Sequence, residues 1–299
     1  MMVRPAHFGY NAETAENNAF QINDKSLNSK EIEVKAIAEF DAFVQKLRAV
    51  GVNVIVFQDT DEPVKSDAVF PNNWISFHRN GNVITYPIFS PIRRLERRIE
   101  LIEELSETFE VANHIQLESW ENVEQYLEGT GSMVVDREYQ IAYGCLSIRT
   151  DQMLFDEFCT VMECEQVTFH SFDKDGVAVY HTNVMMAMGD KFVIICMESI
   201  PIEADKQRLL AAFKKTNKTV IEISLDQMYG FAGNMLQVKN TTGDTFLVMS
   251  SQAFRSLNEA QIQKINQFTQ ILHSDLTTIE TYGGGSARCM MAEVFLPLK

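Results

Sequence analysis

The chain has 299 residues, of which 45% are hydrophobic, and 26 basic against 41 acidic side chains give it a formal net charge of −15. This acidity argues against nucleic acid or an anionic membrane surface as a partner. No apolar run approaches the roughly 18 residues that span a bilayer, and no apolar h-region of a secretory signal follows Met1, so we expect a cytoplasmic protein without a membrane partner.

Hydrophobic periodicity predicts five units in which a helix precedes a strand. The first helix ends at Gly51, as expected where a left-handed residue stops a helix. The units, in chain order, are 32–50 with strand 52–57, 92–109 with 114–117, 152–164 with 166–169, 206–216 with 219–223, and 259–272 with 277–281.

Strand pairs are predicted between these units, joined by turn residues such as Asn80-Gly81 and Thr242-Gly243-Asp244. They are 74–77 with 83–86, 133–136 with 140–144, 184–188 with 191–197, and 235–239 with 245–249. Residues 289–295 are expected to form a fifth such strand, with residues 3–8 as its partner. That pairing would close the five units into a ring.

One polar or thiol residue stands at the start of each strand pair. These residues are Asn73, Glu128, His181, Asn234 and Cys289, with separations of 55, 53, 53 and 55 residues. A constant period of this kind marks a repeat architecture, and equivalent positions of a closed ring converge on one axis. An open α/β sheet is the alternative for the helix–strand units alone, but it leaves the common register of these residues unexplained.

Cys289 follows a triple glycine and Arg288, a setting that lets backbone approach a ligand at Gly285 and that would favour a thiolate if Arg288 points inward. The five cysteines are too few and scattered for a disulfide framework, and the other four are expected to be buried and inert. No Cys-x-x-Cys spacing and no glycine-rich phosphate motif occurs, so we predict neither a metal nor a cofactor.

His181 shares the register of Cys289 and has the side chain best suited to move protons at neutral pH. Glu128 lies between leucine and glycine in a bend that would turn its carboxylate inward, and Arg149 has a planar fork that can hold a substrate carboxylate. Each has a plainer interpretation: a hydrogen-bonded core histidine, a turn acid, or an arginine paired with Asp151. The arginines of residues 93–98 alternate with glutamates and predict a solvated helix face, with Ile92, Leu95, Ile99 and Ile102 facing inward.

These motifs together resemble the guanidino-modifying superfamily of arginine deiminases, dimethylarginine hydrolases and amidinotransferases. The resemblance spans nearly the whole chain and rests on Arg288-Cys289-Met290, Glu128-Gly129, His181 and Ser147-Ile148-Arg149-Thr150. Residues 70–74 and 181–186 look closest to a bacterial, amidinotransferase-related branch that includes a citrulline-using hydrolase. The resemblance implies a single catalytic domain over residues 1–299 with the five-bladed α/β propeller called the pentein fold.

By that resemblance, Cys289 is the nucleophile that attacks the central carbon of a guanidino or ureido group, and His181 protonates the departing amine and then activates water. Glu128 would hydrogen-bond the substrate nitrogens, and Arg149 would hold the α-carboxylate of a small amino-acid substrate. Asn73, Asn183 and Gly285 are further candidate substrate-binding residues.

Two of these positions depart from the deiminases, in which Asp typically stands where this chain has Asn73 and Asn183. Two missing carboxylates weaken the case for a cationic group, and we therefore expect a neutral ureido substrate such as citrulline, or a modified guanidine held mainly by Glu128. Transfer of an amidino group to an amine and a non-catalytic binding module remain alternatives. The family includes dimers, so a homo-oligomer is possible.

Overall fold

Five small sheets repeat one strand pattern along the chain. The computed structural model describes residues 1–16 and 18–299. The strands of this part are β1 Met2–Arg4, β2 Val56–Gln58, β3 Ile75–Phe77, β4 Asn82–Thr85, β5 Asn113–Gln116, β6 Met133–Asp136, β7 Ile141–Cys145, β8 Glu165–Phe169, β9 Met186–Met188, β10 Phe192–Ile195, β11 Thr219–Glu222, β12 Leu236–Lys239, β13 Thr245–Ser250 and β14 Gln270–Ser274.

In each of four sheets the first strand pairs antiparallel with the second, and the second pairs parallel with the third. The four sheets are β3-β4-β5, β6-β7-β8, β9-β10-β11 and β12-β13-β14. The parallel step requires a crossover, and a helix supplies it in every sheet. The repeated helix–strand unit of the sequence is therefore confirmed.

The α-helices of the described residues are α1 Ala12–Ala15, α2 Ser29–Ala49, α3 Ile99–Ser106, α4 Gly129–Ser132, α5 Gln152–Met162, α6 Thr182–Met185, α7 Glu203–Lys215, α8 Leu225–Tyr229, α9 Ser251–Ser256, α10 Glu259–Asn266 and α11 Thr277–Gly283. Short 3₁₀ turns occupy Pro71–Asn73, Pro91–Glu96, Glu118–Val123 and Met197–Ser199. The crossover helices α2, α3, α5, α7 and α10 precede β2, β5, β8, β11 and β14, respectively.

Helix α2 shows how local sequence sets an element. Asn28 and Glu31 form a capping box at its start, with each side chain accepting the other's backbone N–H. Phe40, Phe43 and other apolar residues line its buried face. Gly51, at φ +83°, ends it as predicted, and the N–H of Val52 closes the last turn.

The two ends of the chain meet in the fifth sheet. Strand β1 runs parallel to β2, and Met1 exchanges both backbone hydrogen bonds with Ala292, at 2.7 and 3.0 Å. This repeats the antiparallel-then-parallel order of the other sheets. The predicted strand over residues 289–295 is wrong as regular structure, because turns occupy residues 287–290 and only Ala292 pairs with the first strand.

The predicted strand over 277–281 is also wrong, since these residues form α11. The Asp275 carboxylate caps Thr277, and the Glu39 carboxylate of α2 accepts the N–H groups of Thr278 and Ile279 at 2.8 and 3.0 Å. Backbone donors at a helix start are thus satisfied from a distant element, which a local pattern does not reveal. The strand lies earlier, at β14, because α10 ends at Asn266.

The predicted helix 92–109 is divided into the 3₁₀ turn Pro91–Glu96 and α3. Three residues per turn rotate the side chains away from the expected face. Ile92, Leu95 and Ile99 are consequently exposed, while Arg93 is only 4% exposed. The prediction that the arginine cluster is a solvated face is wrong for Arg93, whose guanidinium lies inside the molecule.

Candidate active site

The five register residues lie in turns that precede the inner strands of the sheets. Asn73 ends a 3₁₀ turn before β3, Glu128 precedes α4 and β6, and His181 precedes α6 and β9. Asn234 precedes β12, and Cys289 lies in the turn before Ala292. All five are buried, and hydrogen bonds join His181 to Glu128 and Asn234 to Cys289.

Cys289 lies between two asparagine side chains. Its Sγ is 3.4 Å from Nδ2 of Asn183 and 3.3 Å from Nδ2 of Asn234. The backbone holds this arrangement, since the N–H of Cys289 donates to Ser286 and the N–H of Arg288 donates to Oδ1 of Asn234 at 3.0 Å. The two amide groups therefore fix the position of the sulfur.

His181 and Glu128 form a buried pair, with 2.8 Å between Nε2 and Oε2. Burial lowers the pKa of His181 to about 4, although the hydrogen bond to Glu128 opposes this effect. Burial alone would raise the pKa of Glu128, but Arg149, His181 and Arg93 outweigh it and hold that pKa far below its usual range. The geometry therefore corresponds to a neutral His181 that donates from Nε2 to a carboxylate and keeps Nδ1 as an acceptor.

Two buried arginines flank this pair. Arg149 Nη1 lies 3.5 Å from Oε2 of Glu128, and its Nη2 donates to the carbonyl of Thr14 at 3.3 Å. Arg93 binds Glu96 with Nε and Nη2 at 2.8 and 2.9 Å. The second carboxylate oxygen of Glu128, Oε1, accepts the N–H of Phe89 at 2.9 Å, so both of its oxygens have protein partners.

The amide of Asn73 has a defined orientation. Arg93 Nη1 donates to its Oδ1 at 3.0 Å, and because a guanidinium only donates, the other amide atom must be the NH₂ group. That Nδ2 is buried and has no hydrogen-bond acceptor among residues 1–16 and 18–299. Gly131 makes the approach possible, since a Cβ there would lie 2.4 Å from Nδ2 of Asn73 and 2.8 Å from Nδ1 of His181.

A narrow cleft connects these groups, and it is called the candidate cleft below. Its lining includes Cys289, His181, Arg149, Arg93, Asn73 and Gly285. Gly285 packs against Phe70, where a Cβ would lie 2.9 Å from the ring. Glu128 and Asn183 lie behind this surface, against His181 and Cys289. The candidate cleft thus brings together three of the five register residues, Asn73, His181 and Cys289, along with Arg149 and Gly285.

Residues 11–16 and 18–22 cover the candidate cleft. Asn11 donates to Asp67 at 2.7 Å, Ser90 donates to Glu13 at 2.6 Å, and Ile22 donates to the carbonyl of Thr281 at 2.7 Å. The free volume that remains is about 20 Å³, roughly the room of one water molecule. An amino acid therefore enters only when this covering segment moves.

Sequence reasoning misses several residues of the site. It places Arg93 on the surface, gives Asp67 no role, and includes Asn234 in the register without a predicted contact to Cys289. The signal for Arg93 is Pro91, which favours the start of a tight helical turn over a continuous amphipathic helix. Burial raises the pKa of Asp67, with Arg93 opposing this effect.

Within the part of the chain that the structure describes, no group of three His, Cys, Asp or Glu side chains is arranged to hold a metal ion. No helix of this part is both long and apolar enough to cross a bilayer. The described site chemistry therefore consists of the thiol, the imidazole, the carboxylates, the amides and the guanidinium groups.

Solved structures with the same fold cover almost all of this chain. The apo structure of ArgZ, an arginine dihydrolase from the ornithine–ammonia cycle in cyanobacteria, superposes with a TM-score of 0.77 at 15% identity, over 100% of this chain and 40% of that one. The N-terminal domain of ArgZ, covalently bound to a reaction intermediate, gives a TM-score of 0.74 at 15% identity, over 99% and 98%. A dimethylarginine dimethylaminohydrolase adduct with S-methyl-L-thiocitrulline gives 0.65 at 16% identity, over 97% and 96%.

The fold and the site define a pentein-fold protein of the guanidino-modifying superfamily, as the sequence motifs predicted. The chain spans about 40% of the length of full-length ArgZ. A search of curated protein sequences gives no significant match. The sequence profile of the N,N-dimethylarginine dimethylhydrolase family, eukaryotic, matches residues 4–296, and the chain belongs to this family. The predicted membership of the guanidino-modifying superfamily is therefore confirmed.

Proposed function

We propose that the protein hydrolyses a C–N bond in the ureido or guanidino group of an α-amino acid, with Cys289 as the nucleophile. The observation that carries the proposal is that Cys289, His181 and Arg149, which come from separate sheets, line one cleft. A nucleophile, a proton carrier and a carboxylate-binding cation in one enclosed space are the components that this reaction requires. The covalent intermediate in the structure of the ArgZ domain supports the same chemistry.

In the proposed reaction, the sulfur of Cys289 attacks the central carbon and forms a C–S bond. One C–N bond then breaks, and the departing nitrogen takes up the thiol proton, which His181 carries. Water then adds to the same carbon, giving a proton to His181, and the C–S bond breaks to restore the thiol. His181 suits this role because it lines the candidate cleft with Cys289 and Glu128 binds its Nε2 at 2.8 Å, so the second ring nitrogen can carry the proton.

Glu128 is proposed as a positioning residue. Its carboxylate oxygens bind His181 and the Phe89 N–H, and it does not line the candidate cleft. This role differs from the direct contact with substrate nitrogens that the family resemblance implied. An ionised Glu128 fixes the His181 proton on Nε2 and stabilises the imidazolium that forms when Nδ1 takes up a proton.

A neutral ureido group is proposed as the preferred substrate head group. Asn73 lines the candidate cleft, and its buried Nδ2 has no acceptor among the described residues. A ureido group has an acceptor oxygen that can satisfy this atom. A guanidinium has donors only and would leave Nδ2 of Asn73 unsatisfied, at a cost of about 1–3 kcal/mol.

The charges around the candidate cleft support the same choice. Glu128 is already bound to His181 and Arg149, and Asp67 accepts from Asn11 and lies 3.7 Å from Nε of Arg93. A cationic head group would therefore have to share carboxylates that other cations already use. Arg149 is the proposed partner of the substrate α-carboxylate, as the sequence suggested.

The activity is proposed to reside in one catalytic domain over residues 1–299, in the cytoplasm, with a homo-oligomer as a possible assembly. The predicted reaction needs no metal or organic cofactor.

Purified protein should be given citrulline, arginine and N,N-dimethylarginine in separate reactions, and the released ammonia or amine and the amino-acid product should be quantified. We expect the highest kcat/KM with citrulline, and no turnover of any substrate by Cys289→Ala. Faster turnover of arginine or dimethylarginine would refute the ureido preference but leave the hydrolase proposal standing. Product that contains a transferred amidino group, formed only when glycine or lysine is added, would favour the amidinotransferase.

A further inference from the structure

A second and much larger cavity lies at the far ends of the strands that lead away from the candidate cleft. It has a volume of about 670 Å³, within the usual range for small-molecule sites. Strand β6 begins after Glu128 and ends at Asp136. In the next sheet, β9 likewise leads from the side of His181 to the side of Asp190. The cavity at Asp136 and Asp190, called the strand-end cavity here, is therefore distinct from the candidate cleft.

Arg137 is a shielded cation in the lining of this cavity. Its guanidinium stacks 4.2 Å above the ring of Phe295, and Nη1 lies 3.2 Å from Nδ1 of His78. Burial and the neighbouring Arg137 lower the pKa of His78 to about 3, so His78 is a neutral acceptor that supplies no negative charge. Arg137 itself is half-buried, and burial lowers its pKa while the charge of Glu293 opposes this effect.

The carboxylates near Arg137 are engaged elsewhere. Glu293 pairs with Arg288 at 2.9 Å, and Asp136 pairs with Lys218 at 2.9 Å. Within residues 1–16 and 18–299, no carboxylate forms an ion pair with Arg137. A shielded charge without a counter-ion is costly, and here it occurs in a protein whose formal net charge is −15.

The remaining charged groups of the lining lie toward solvent. Arg79, Lys239, Glu138 and Asp190 are exposed, and the two cations and two anions among them balance. Among the described residues of this lining, Arg137 is therefore the half-buried side-chain cation without an ion pair, although Glu293, which pairs with Arg288, acts on its charge. The rest of the lining is largely apolar and includes Val52, Ile55, Leu236 and Val294.

We propose that the strand-end cavity binds a small organic anion, whose carboxylate or phosphate group pairs with Arg137 and whose apolar part packs against the strand ends. An anionic group at this position supplies the counter-ion that the protein lacks, and a guanidinium binds either group bidentately. Phe295 stacks beneath the guanidinium and limits its movement. The volume admits a molecule the size of a substituted aromatic acid.

Isothermal titration calorimetry tests the proposal with three probes of similar size: 4-phenylbutyrate, phenyl phosphate and the neutral 4-phenylbutyramide. We expect at least one anion to bind with one-to-one stoichiometry and the amide to bind roughly 10-fold more weakly or worse, because it lacks the charge-assisted hydrogen bonds. Whichever of the two anions binds more tightly identifies the anionic group that the strand-end cavity prefers. Failure of both anions, or equal binding of the amide, would overturn the proposal.

Variants locate the bound anion. Arg137→Met should weaken binding by roughly 10-fold or more, whereas Arg255→Met removes the same charge from the exposed face of α9 and should bind like the wild type. Arg137→Lys keeps a cation and should retain part of the affinity, which guards against a folding defect in the methionine variant. Wild-type binding of the anion by Arg137→Met would place the anion elsewhere and refute the inference. Because no turnover is measured, this test is independent of the proposed hydrolase activity.

Discussion

Replacing Asn73 with aspartate is expected to change the preferred substrate from a neutral to a cationic head group. In the structure, Arg93 holds Oδ1 of Asn73 at 3.0 Å, which leaves Nδ2 as the amide atom without a partner among the described residues. The aspartate of Asn73→Asp would keep one oxygen on Arg93 and present a second oxygen in place of Nδ2. The change thus converts one donor into one charged acceptor with little change in shape.

The size of the effect follows from the hydrogen bond that is exchanged. Facing a ureido oxygen, the new carboxylate loses a hydrogen bond and gains repulsion, which costs about 1.5–3 kcal/mol, or roughly 10- to 150-fold in kcat/KM. Facing a guanidinium, the same carboxylate gains a charge-assisted hydrogen bond of similar strength. The ratio of kcat/KM for arginine over citrulline should therefore rise by about 10²- to 10⁴-fold.

Initial rates of ammonia release, measured for both substrates across a range of concentrations, give this ratio directly. Asn72→Asp is the matched control, because Asn72 is buried one residue away and does not line the candidate cleft. It should reduce both rates equally, through stability. Thermal unfolding should show that Asn73→Asp is folded. If the ratio of kcat/KM for arginine over citrulline is then unchanged, the assignment of Nδ2 as the group that distinguishes the two substrates is refuted.

Three further expectations concern the His181–Glu128 pair and the covering segment. Glu128→Gln should lower kcat by roughly 10- to 150-fold for citrulline and arginine alike, because it removes a charge-assisted hydrogen bond to His181 and not a substrate contact; unequal losses in steady-state assays would contradict this. The pKa of His181 is about 4 in the folded protein and near 6.5 when unfolded, so its neutral form contributes stability above pH 6.5 that is lost as the pH falls toward 4. Between pH 6.5 and pH 4, the unfolding free energy of the wild type should therefore fall by up to ~3 kcal/mol more than that of His181→Asn, as measured by urea titrations. Equal decreases in the two proteins would count against a buried neutral imidazole. Hydrogen exchange by mass spectrometry should be faster in residues 11–16 and 18–22 than in α2, since the candidate cleft opens only when that segment moves; equal protection would contradict this.

The repeat could be predicted from the sequence because both the polar and the apolar residues recur with the same period. A register of about 55 residues placed Glu128 and His181 correctly at equivalent positions before β6 and β9. The strands themselves were found because each is a short apolar run next to a turn, as in β6, whose predicted bounds agree with the structure. The sequence pattern therefore predicted an element correctly where the contacts that determine it lie close by in the sequence.

The fifth unit was predicted poorly because its deciding contacts are distant in sequence. Helix α11 is stabilised at its start by Glu39, which lies 239 residues away from Thr278, and no window of neighbouring residues contains that information. Residues 289–295 failed for a related reason: their pairing is with Met1, and only Ala292 takes part.

The candidate site was predicted as a set of residues but not as a set of contacts. The register indicated that His181 and Glu128 would meet, and they do, at 2.8 Å. It did not indicate that Arg93 would turn inward and fix the amide of Asn73, because an interleaved Arg/Glu segment is usually a solvated face. The direction of one amide, on which the substrate proposal depends, is set by that missed arginine.

The most direct test of the account is the identity of the atom that bonds to the substrate carbon. Acid quenching during turnover of citrulline, followed by digestion and mass spectrometry of the cysteine peptides, should reveal an added substrate fragment on Cys289 and on none of Cys145, Cys159, Cys164 or Cys196. Cys289→Ala should show neither the adduct nor product. Product formation by Cys289→Ala at the wild-type rate, or an adduct on another cysteine, would contradict the account.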